Sequence, residues 1–232
     1  MIWLYSGTPG SGKSYHATAD IYYRLKRRGR HPKNKVIANF ALAVDTPNFL
    51  YWDNSQLTVK RLYNYARYRH KPGVEGQTLV VIDESQVIFN SRSWHTDGHN
   101  RMDWIVFFTQ HRKLGFDFIL IAQNDRMLDR QIRCLVEYEV FHLKIGNYFR
   151  LLPITAFLAV QRWYGQRLKV GHDVVIYRKR IARLYDSYMM FGGHGPGSRY
   201  KSRKLARGKW SGKGARGCPP LRLPRSPLYL TT

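Results

Sequence analysis

Apolar positions along the chain fall into two alternating patterns. Short runs at 2–5 (IWLY), 35–40 (KVIANF), 78–82 (TLVVI) and 118–122 (FILIA) are rich in branched and aromatic residues, as expected of strands, and the unbroken run at 78–82 is expected to be buried on both faces. Between them the apolar residues recur at helical spacing. Ala17, Ile21 and Leu25 mark one face of a helix ending near Gly29, and Val59, Leu62, Tyr63 and Ala66 mark a second. Trp104, Ile105 and Phe108 mark the inward side of a third over 102–114, with Gly115 as its stop. Strands alternating with helices predict an α/β domain built on a mostly parallel sheet. Residues 41–55 show no period. Farther on, a short helix is expected over 127–133 and strands over 136–144, 155–164 and 173–179, connected through Gly165 and a Gly171-His172-Asp173 turn.

The chemistry begins where the first strand ends. Gly7-Thr8-Pro9-Gly10-Ser11-Gly12-Lys13-Ser14 matches G-x-x-x-x-G-K-[ST], with a strand before it and a helix after it. Backbone N–H groups can surround a triphosphate only where no Cβ intrudes, which accounts for Gly7, Gly10 and Gly12. The helix that follows adds its positive end. Lys13 supplies a mobile charge for the β and γ phosphates, and the Ser14 hydroxyl is a hard oxygen suited to Mg²⁺.

The run at 78–82 leads directly into Asp83-Glu84. Acids at the tip of a buried strand make physical sense beside phosphates: Asp83 to hold Mg²⁺, Glu84 to polarise the attacking water. In P-loop proteins with such a glutamate, a further strand separates the two motif strands, and a polar residue at its tip faces the γ phosphate. Gln123 has that place in the chain order. His95, Asp97 and His99 share a polar loop, but nothing completes a metal ligand set there.

Charge changes the picture of what the domain meets. With 39 Lys and Arg against 15 Asp and Glu in 232 residues, the net charge of +24 favours a polyanionic partner and disfavours an isolated soluble metabolic enzyme. Arg24, Lys26, Arg27 and Arg28 crowd one helix end, and Lys60, Arg61, Arg67 and Arg69 line one side of the next helix. From 191 to 232 there are ten Lys or Arg, no acid, eight Gly and five Pro. Such a segment is expected to be a disordered basic tail that tethers to DNA or anionic lipid. The domain is accordingly expected over 1–190 and the tail over 191–232. Cys134 and Cys218 form no C-x-x-C pair, so a reducing compartment is expected. No secretory leader is evident and the longest apolar stretch is about half a membrane span, so no transmembrane helix is expected.

Taken in order, SGTPGSGKS, TLVVIDESQ and QHRKLGFDFILIAQN resemble the zonula occludens toxin family, the gene I-type assembly ATPases of filamentous phages. The resemblance spans roughly 1–185. It implies a P-loop NTPase of the RecA/FtsK-HerA type that binds ATP and Mg²⁺ and acts as an oligomeric ring on the cytoplasmic face of the host inner membrane. There it would drive extrusion of virion DNA together with coat protein. Arg112 is then a candidate arginine finger acting on a neighbour's nucleotide, with His111, Lys113 and Arg126 as rivals. Family members usually continue into a membrane span where this sequence has its basic tail, which implies peripheral docking or an anchor on another chain. The toxin activity belongs to that other region and is not carried over. A DNA-packaging or DNA-transfer ATPase would share every site residue. A small-molecule kinase fits Asp83-Glu84 and the charge poorly, and a nucleotide-gated DNA-binding module with weak hydrolysis is the reading from another class.

Overall fold

The computed structural model describes residues 1–26, 33–90, 98–145, 155–166 and 168–185. The chain runs β1 (Ile2–Ser6), α1 (Lys13–Lys26), β2 (Lys35–Ala38), β3 (Phe49–Tyr51), α2 (Val59–Arg69), β4 (Thr78–Ile82), α3 (Gly98–Gln110) and β5 (Phe116–Ile121). It continues through α4 (Arg130–Cys134), β6 (Tyr138–Ile145), β7 (Ala156–Trp163), β8 (Lys169–Ile176) and α5 (Lys179–Ala182). All eight strands form one sheet in the order β3-β2-β4-β5-β1-β6-β7-β8. The first six are mutually parallel, whereas β6, β7 and β8 pair antiparallel.

Strand composition explains which strands are central. Every residue of β4 is buried, with Val80 and Ile82 on one face and Leu79 and Val81 on the other. The first face packs, with Leu4, Phe116 and Phe118, against Leu62 of α2 and Trp104, Phe107 and Phe108 of α3. The second packs, with Ile119 and Ile121, against Ala17 and Ile21 of α1. A fully buried phenylalanine or leucine contributes about 1.5–3 kcal/mol of transfer free energy, so these two layers hold the parallel strands rigid. Because the strands are parallel, the ends of β1, β4 and β5 open on one edge of the sheet.

Several boundaries differ from the sequence pattern for local reasons. Residues 41–55 contain β3, an edge strand of three residues, too short to display a period. The third helix starts at Gly98 rather than 102, because Arg101 and Met102 in its early turns do not join the apolar face: Arg101 pairs with Asp129 at 3.3 Å and Met102 is exposed. Phe107 is fully buried on that helix, while Ile105 sits at the margin of the core. The helix expected over 127–133 is a 3₁₀ turn at Asp125–Met127 followed by α4. Gly171-His172-Asp173 is not a turn. These residues lie within β8, where Gly171 pairs with Gln161 and the register shifts at Gln161/Arg162, so the glycine sits at an irregularity of the ladder. The hairpin reverses at 164–166. The 95–99 loop (apart from the backbone of the first turn of α3) and the 191–232 tail lie outside the described residues.

Candidate functional site

The loop between β1 and α1 bends as its glycines dictate. Gly7, Gly10 and Gly12 have φ of 136°, 76° and 94°, a region that side chains rarely adopt. At Gly7 an added Cβ would lie 2.6 Å from the His142 carbonyl, and at Gly12 2.5 Å from the Phe157 ring. Thr8, Pro9 and Gly10 are exposed on the rim, and Ser11 and Lys13 are buried. The Lys13 ammonium donates to the carbonyls of Gly7 (2.8 Å) and Thr8 (2.9 Å). Burial pushes it below its ordinary pKa, while Glu84 and then Asp83 push back. Ser11 Oγ, buried in the loop, has no hydrogen-bond partner among the described residues.

The acids stand on the adjoining strand tip. Asp83 is 5% exposed, with its backbone clamped by Asn39 at the tip of β2: Asp83 N–H donates to Asn39 Oδ1 (2.7 Å) and Asn39 Nδ2 to the Asp83 carbonyl (2.9 Å). Glu84 has φ 47° and ψ 48° and is the single described non-glycine residue with positive φ. Such a conformation costs on the order of 1–3 kcal/mol and persists where surroundings enforce it. Here the Glu84 N–H donates to Asp83 Oδ1 (2.9 Å), Ser85 Oγ donates to the Ile121 carbonyl (2.8 Å), and Gln86 donates to the Glu84 carboxylate. The corner is thus fastened to β5. That strand lies between β1 and β4, as expected from the chain order, and the Gln123 carbonyl at its tip accepts from Gly7 N–H (3.4 Å). The Gln123 side chain is exposed on the same edge.

Residues from the far half of the sheet complete the surroundings. Tyr185 donates to Asp83 Oδ2 (3.0 Å), so its phenol touches a group expected on the metal side. It is held there by a bridge to Leu42, with Ala43 N–H donating to the Leu184 carbonyl (2.9 Å), and by an edge-to-face contact with Phe40. Behind the loop, His142 is fully buried between the Ser6 carbonyl (3.2 Å) and His16 Nδ1 (2.8 Å). Burial, reinforced by His16, pushes its pKa down to about 3. Tyr5 donates to Asp20 (2.6 Å), one helical turn from His16.

Arg112 is elsewhere. It follows α3, half-exposed, and pairs with the carboxylate of Glu137 just before β6, at the edge of the sheet opposite the loop. His111 is buried, with Nδ1 against the Phe108 carbonyl, whereas Arg126 is exposed just past the β5 tip, on the loop's own edge. The structure therefore brings together Gly7–Ser14, Asp83, Glu84 and Gln123, and leaves Arg112 apart. Asn39, Phe157, His142 and Tyr185 were not singled out from sequence. Asn39 carries the same polar strand-tip pattern as Gln123, and the other three have no local signature.

A glycine cradle with an unpartnered buried hydroxyl, a lysine at its centre and an acid pair on a neighbouring strand tip define a P-loop NTPase domain. The chain belongs to the family described as Zonular occludens toxin (Zot), whose model matches residues 1–190. It is similar to the gene 1 protein of Enterobacteria phage I2-2, with 41% identity over 64 residues, 27% of this chain and 17% of that protein. The gene 1 protein of Enterobacteria phage M13 is 39% identical over 64 residues, 27% of this chain and 18% of the relative. The matched stretch thus spans under a fifth of the length of these curated relatives. The crystal structure of the N-terminal domain of zonular occludens toxin from Neisseria meningitidis has the same fold, at TM-score 0.50 and 21% identity over 80% of this chain and 98% of that one. Among the described residues no helix is long and apolar enough to cross a membrane.

Proposed function

We propose that the chain is an ATP-hydrolysing motor for the assembly and export of filamentous phage, extruding virion DNA with coat protein through the host inner membrane. The observation that carries this reading is the convergence of the glycine loop, the Asp83-Glu84 corner and the β5 tip on one sheet edge. Membership of the Zot family and similarity to phage gene 1 proteins supply the direction.

In this account the N–H groups of Gly7 to Ser14 bind the phosphates, and Lys13 turns from its two carbonyl partners to the β and γ oxygens. Ser11 Oγ gains a partner in the same step. Ser14 and Asp83 would hold Mg²⁺, which would supply positive charge to offset that of the phosphates. One hydroxyl and one carboxylate suit an ion that takes its remaining ligands from water and phosphate, and no cluster of three His, Cys, Asp or Glu among the described residues offers a rival site. Glu84 accepts a proton as water attacks the γ phosphorus, the bond to the β oxygen breaks, and ADP and phosphate leave. Gln123 orients the γ phosphate or the water. Arg112 lies too far from its own loop to serve it and would act on a neighbour's nucleotide in a ring, with Arg126 as the rival on the loop edge.

DNA packaging or transfer by the same machinery is the second reading. It is favoured by α2 and the residues just after it, where Lys60, Arg67, Arg69 and Lys71 are exposed and no acid occurs from Asn54 to Val74. Basic residues of 191–232 would dock the motor peripherally on anionic lipid. The test is ATP turnover with and without single-stranded DNA and anionic vesicles. Glu84→Gln should lower turnover by about 10²–10⁴-fold while nucleotide still binds. Turnover untouched by this change, and indifferent to both polyanions, would overturn the motor.

A further inference from the structure

A cavity of about 400 Å³ opens from the phosphate loop at Gly10, Gly12 and Ser14 and ends on an aromatic wall formed by Tyr15, Tyr177 and Tyr185. Its size lies in the range of ligand pockets. The wall is built rather than incidental. Tyr15, the first residue after the loop serine, donates its hydroxyl to the Ile176 carbonyl (3.0 Å) and accepts from Arg178 N–H (2.7 Å). These two bonds staple the end of β8 to the start of α1 on either side of Tyr177. The Tyr177 ring then rests against Tyr15 with centroids 5.3 Å apart and planes 32° from parallel, while Tyr15 is backed by Phe157 at 5.8 Å. Tyr177 nevertheless remains 42% exposed, so one face of a ring fixed in position is available on the cavity side.

We propose that this wall is the nucleoside subsite, with Tyr177 the platform on which the base stacks. The proposal rests on the reading of Gly7–Ser14 as the triphosphate cradle and adds the other half of the ligand to it. A triphosphate seated in the loop must direct its nucleoside outward along the start of α1, and the aromatic wall stands there. The chemistry of the wall also sets its selectivity. Beyond Lys13 and Ser14, the described residues around the cavity are Gly, Ala and Tyr, with no carboxamide or carboxylate among them to read a base edge. The hydroxyls of Tyr15 and Tyr185 are engaged by Ile176, Arg178 and Asp83. The guanidinium of Arg178 turns away to the Tyr23 hydroxyl (3.1 Å). Recognition therefore falls to a π-face, which every base presents. The subsite accepts purine triphosphates with little discrimination between adenine and guanine.

The experiment is calorimetric titration of the full chain with ATP·Mg²⁺, GTP·Mg²⁺ and inorganic tripolyphosphate·Mg²⁺. Wild-type protein should bind ATP and GTP within about threefold of each other, since stacking tolerates base identity. Tyr177→Ala should weaken both by roughly tenfold, the scale of one lost stacking contact. Tripolyphosphate should bind the variant as it binds wild type, which also reports an intact loop, and Tyr177→Phe should restore nucleotide affinity. Unchanged ATP affinity in Tyr177→Ala, or a wild-type preference of more than about tenfold between ATP and GTP, would overturn the subsite. Wild-type protein that binds neither tripolyphosphate nor ATP would instead bring down the phosphate cradle, and the subsite with it.

Discussion

The two halves of the sheet do different work and are built differently. In the half from β2 to β1 the central strands are buried on both faces, and the phosphate loop and acid corner rise from their tips. In the half from β6 to β8 one face leans on α1 through Val140, Ala159 and Val175, while Leu143, Ile145, Val174 and Ile176 on the other remain more than 40% exposed. The rigid half carries the groups proposed to act on phosphate. The second half supplies the frame: Phe157 behind Gly12, the His142 carbonyl beside Gly7, and Tyr185 on Asp83. Site geometry thus depends on β6, β7 and the residues after α5, which contribute nothing to the sequence motifs. Changes that distinguish the halves should differ in kind as well as size.

Truncation of a core ring gives the largest contrast. Phe118→Ala, in the fully buried centre of β5, should lower unfolding free energy by about 3–5 kcal/mol in denaturant titration, whereas Val174→Ala on the exposed face of β8 should stay within about 0.5 kcal/mol. Equal losses would mean that the outer face of the hairpin is covered.

The acidity of the interface between the halves comes next. His142 faces His16 on α1, Lys13, the Tyr5 ring and the Ser6 carbonyl, and its pKa falls from 6.5 to about 3. Below pH 6.5 the unfolded chain takes up a proton that the folded chain refuses, so this contribution is complete above 6.5 and is lost progressively as the pH drops toward 3. Between pH 7 and pH 5 it removes about 2 kcal/mol. His142→Gln should flatten the stability profile in that window by about one proton, and an unchanged slope would contradict the assignment.

The smallest effect concerns the contact that the hairpin half makes with the acid corner. The Tyr185 hydroxyl donates to the Asp83 carboxylate, which in the proposed account would hold Mg²⁺. Tyr185→Phe keeps the edge-to-face contact with Phe40 and removes the competitor. Half-saturating Mg²⁺ for nucleotide binding should fall by about fivefold, the worth of one hydrogen bond, and a rise would show that the phenol assists the metal instead.

What could be read from sequence follows the same division. The glycine loop, the Asp83-Glu84 corner and Gln123 are local patterns on strands whose unbroken apolar runs mark them as buried, so both motif and setting were legible. Phe157 meets Gly12 and Tyr185 meets Asp83 across more than a hundred residues, through pairing that no local spacing encodes. The same limit explains Gly171-His172-Asp173, where glycine and polar residues resemble a turn until their partners on β7 are known. Asn39 was within reach: it ends an apolar strand as Gln123 does, and its amide clamps the backbone of Asp83. Arg112 was named through the family resemblance, and the parallel crossover from β4 to β5 ends its helix on the edge of the sheet opposite the loop.

The central claim is that the loop from Gly7 to Ser14 holds a magnesium-bound triphosphate with Lys13 as its principal cation. Calorimetric titration of ATP·Mg²⁺ into wild-type and Lys13→Ala protein tests it most directly. The account predicts one binding event per chain in wild type and a loss of at least about 100-fold in the variant, the cost of removing a buried charge-assisted contact. Wild-type protein with no heat of binding, or a variant that binds as tightly, would contradict it.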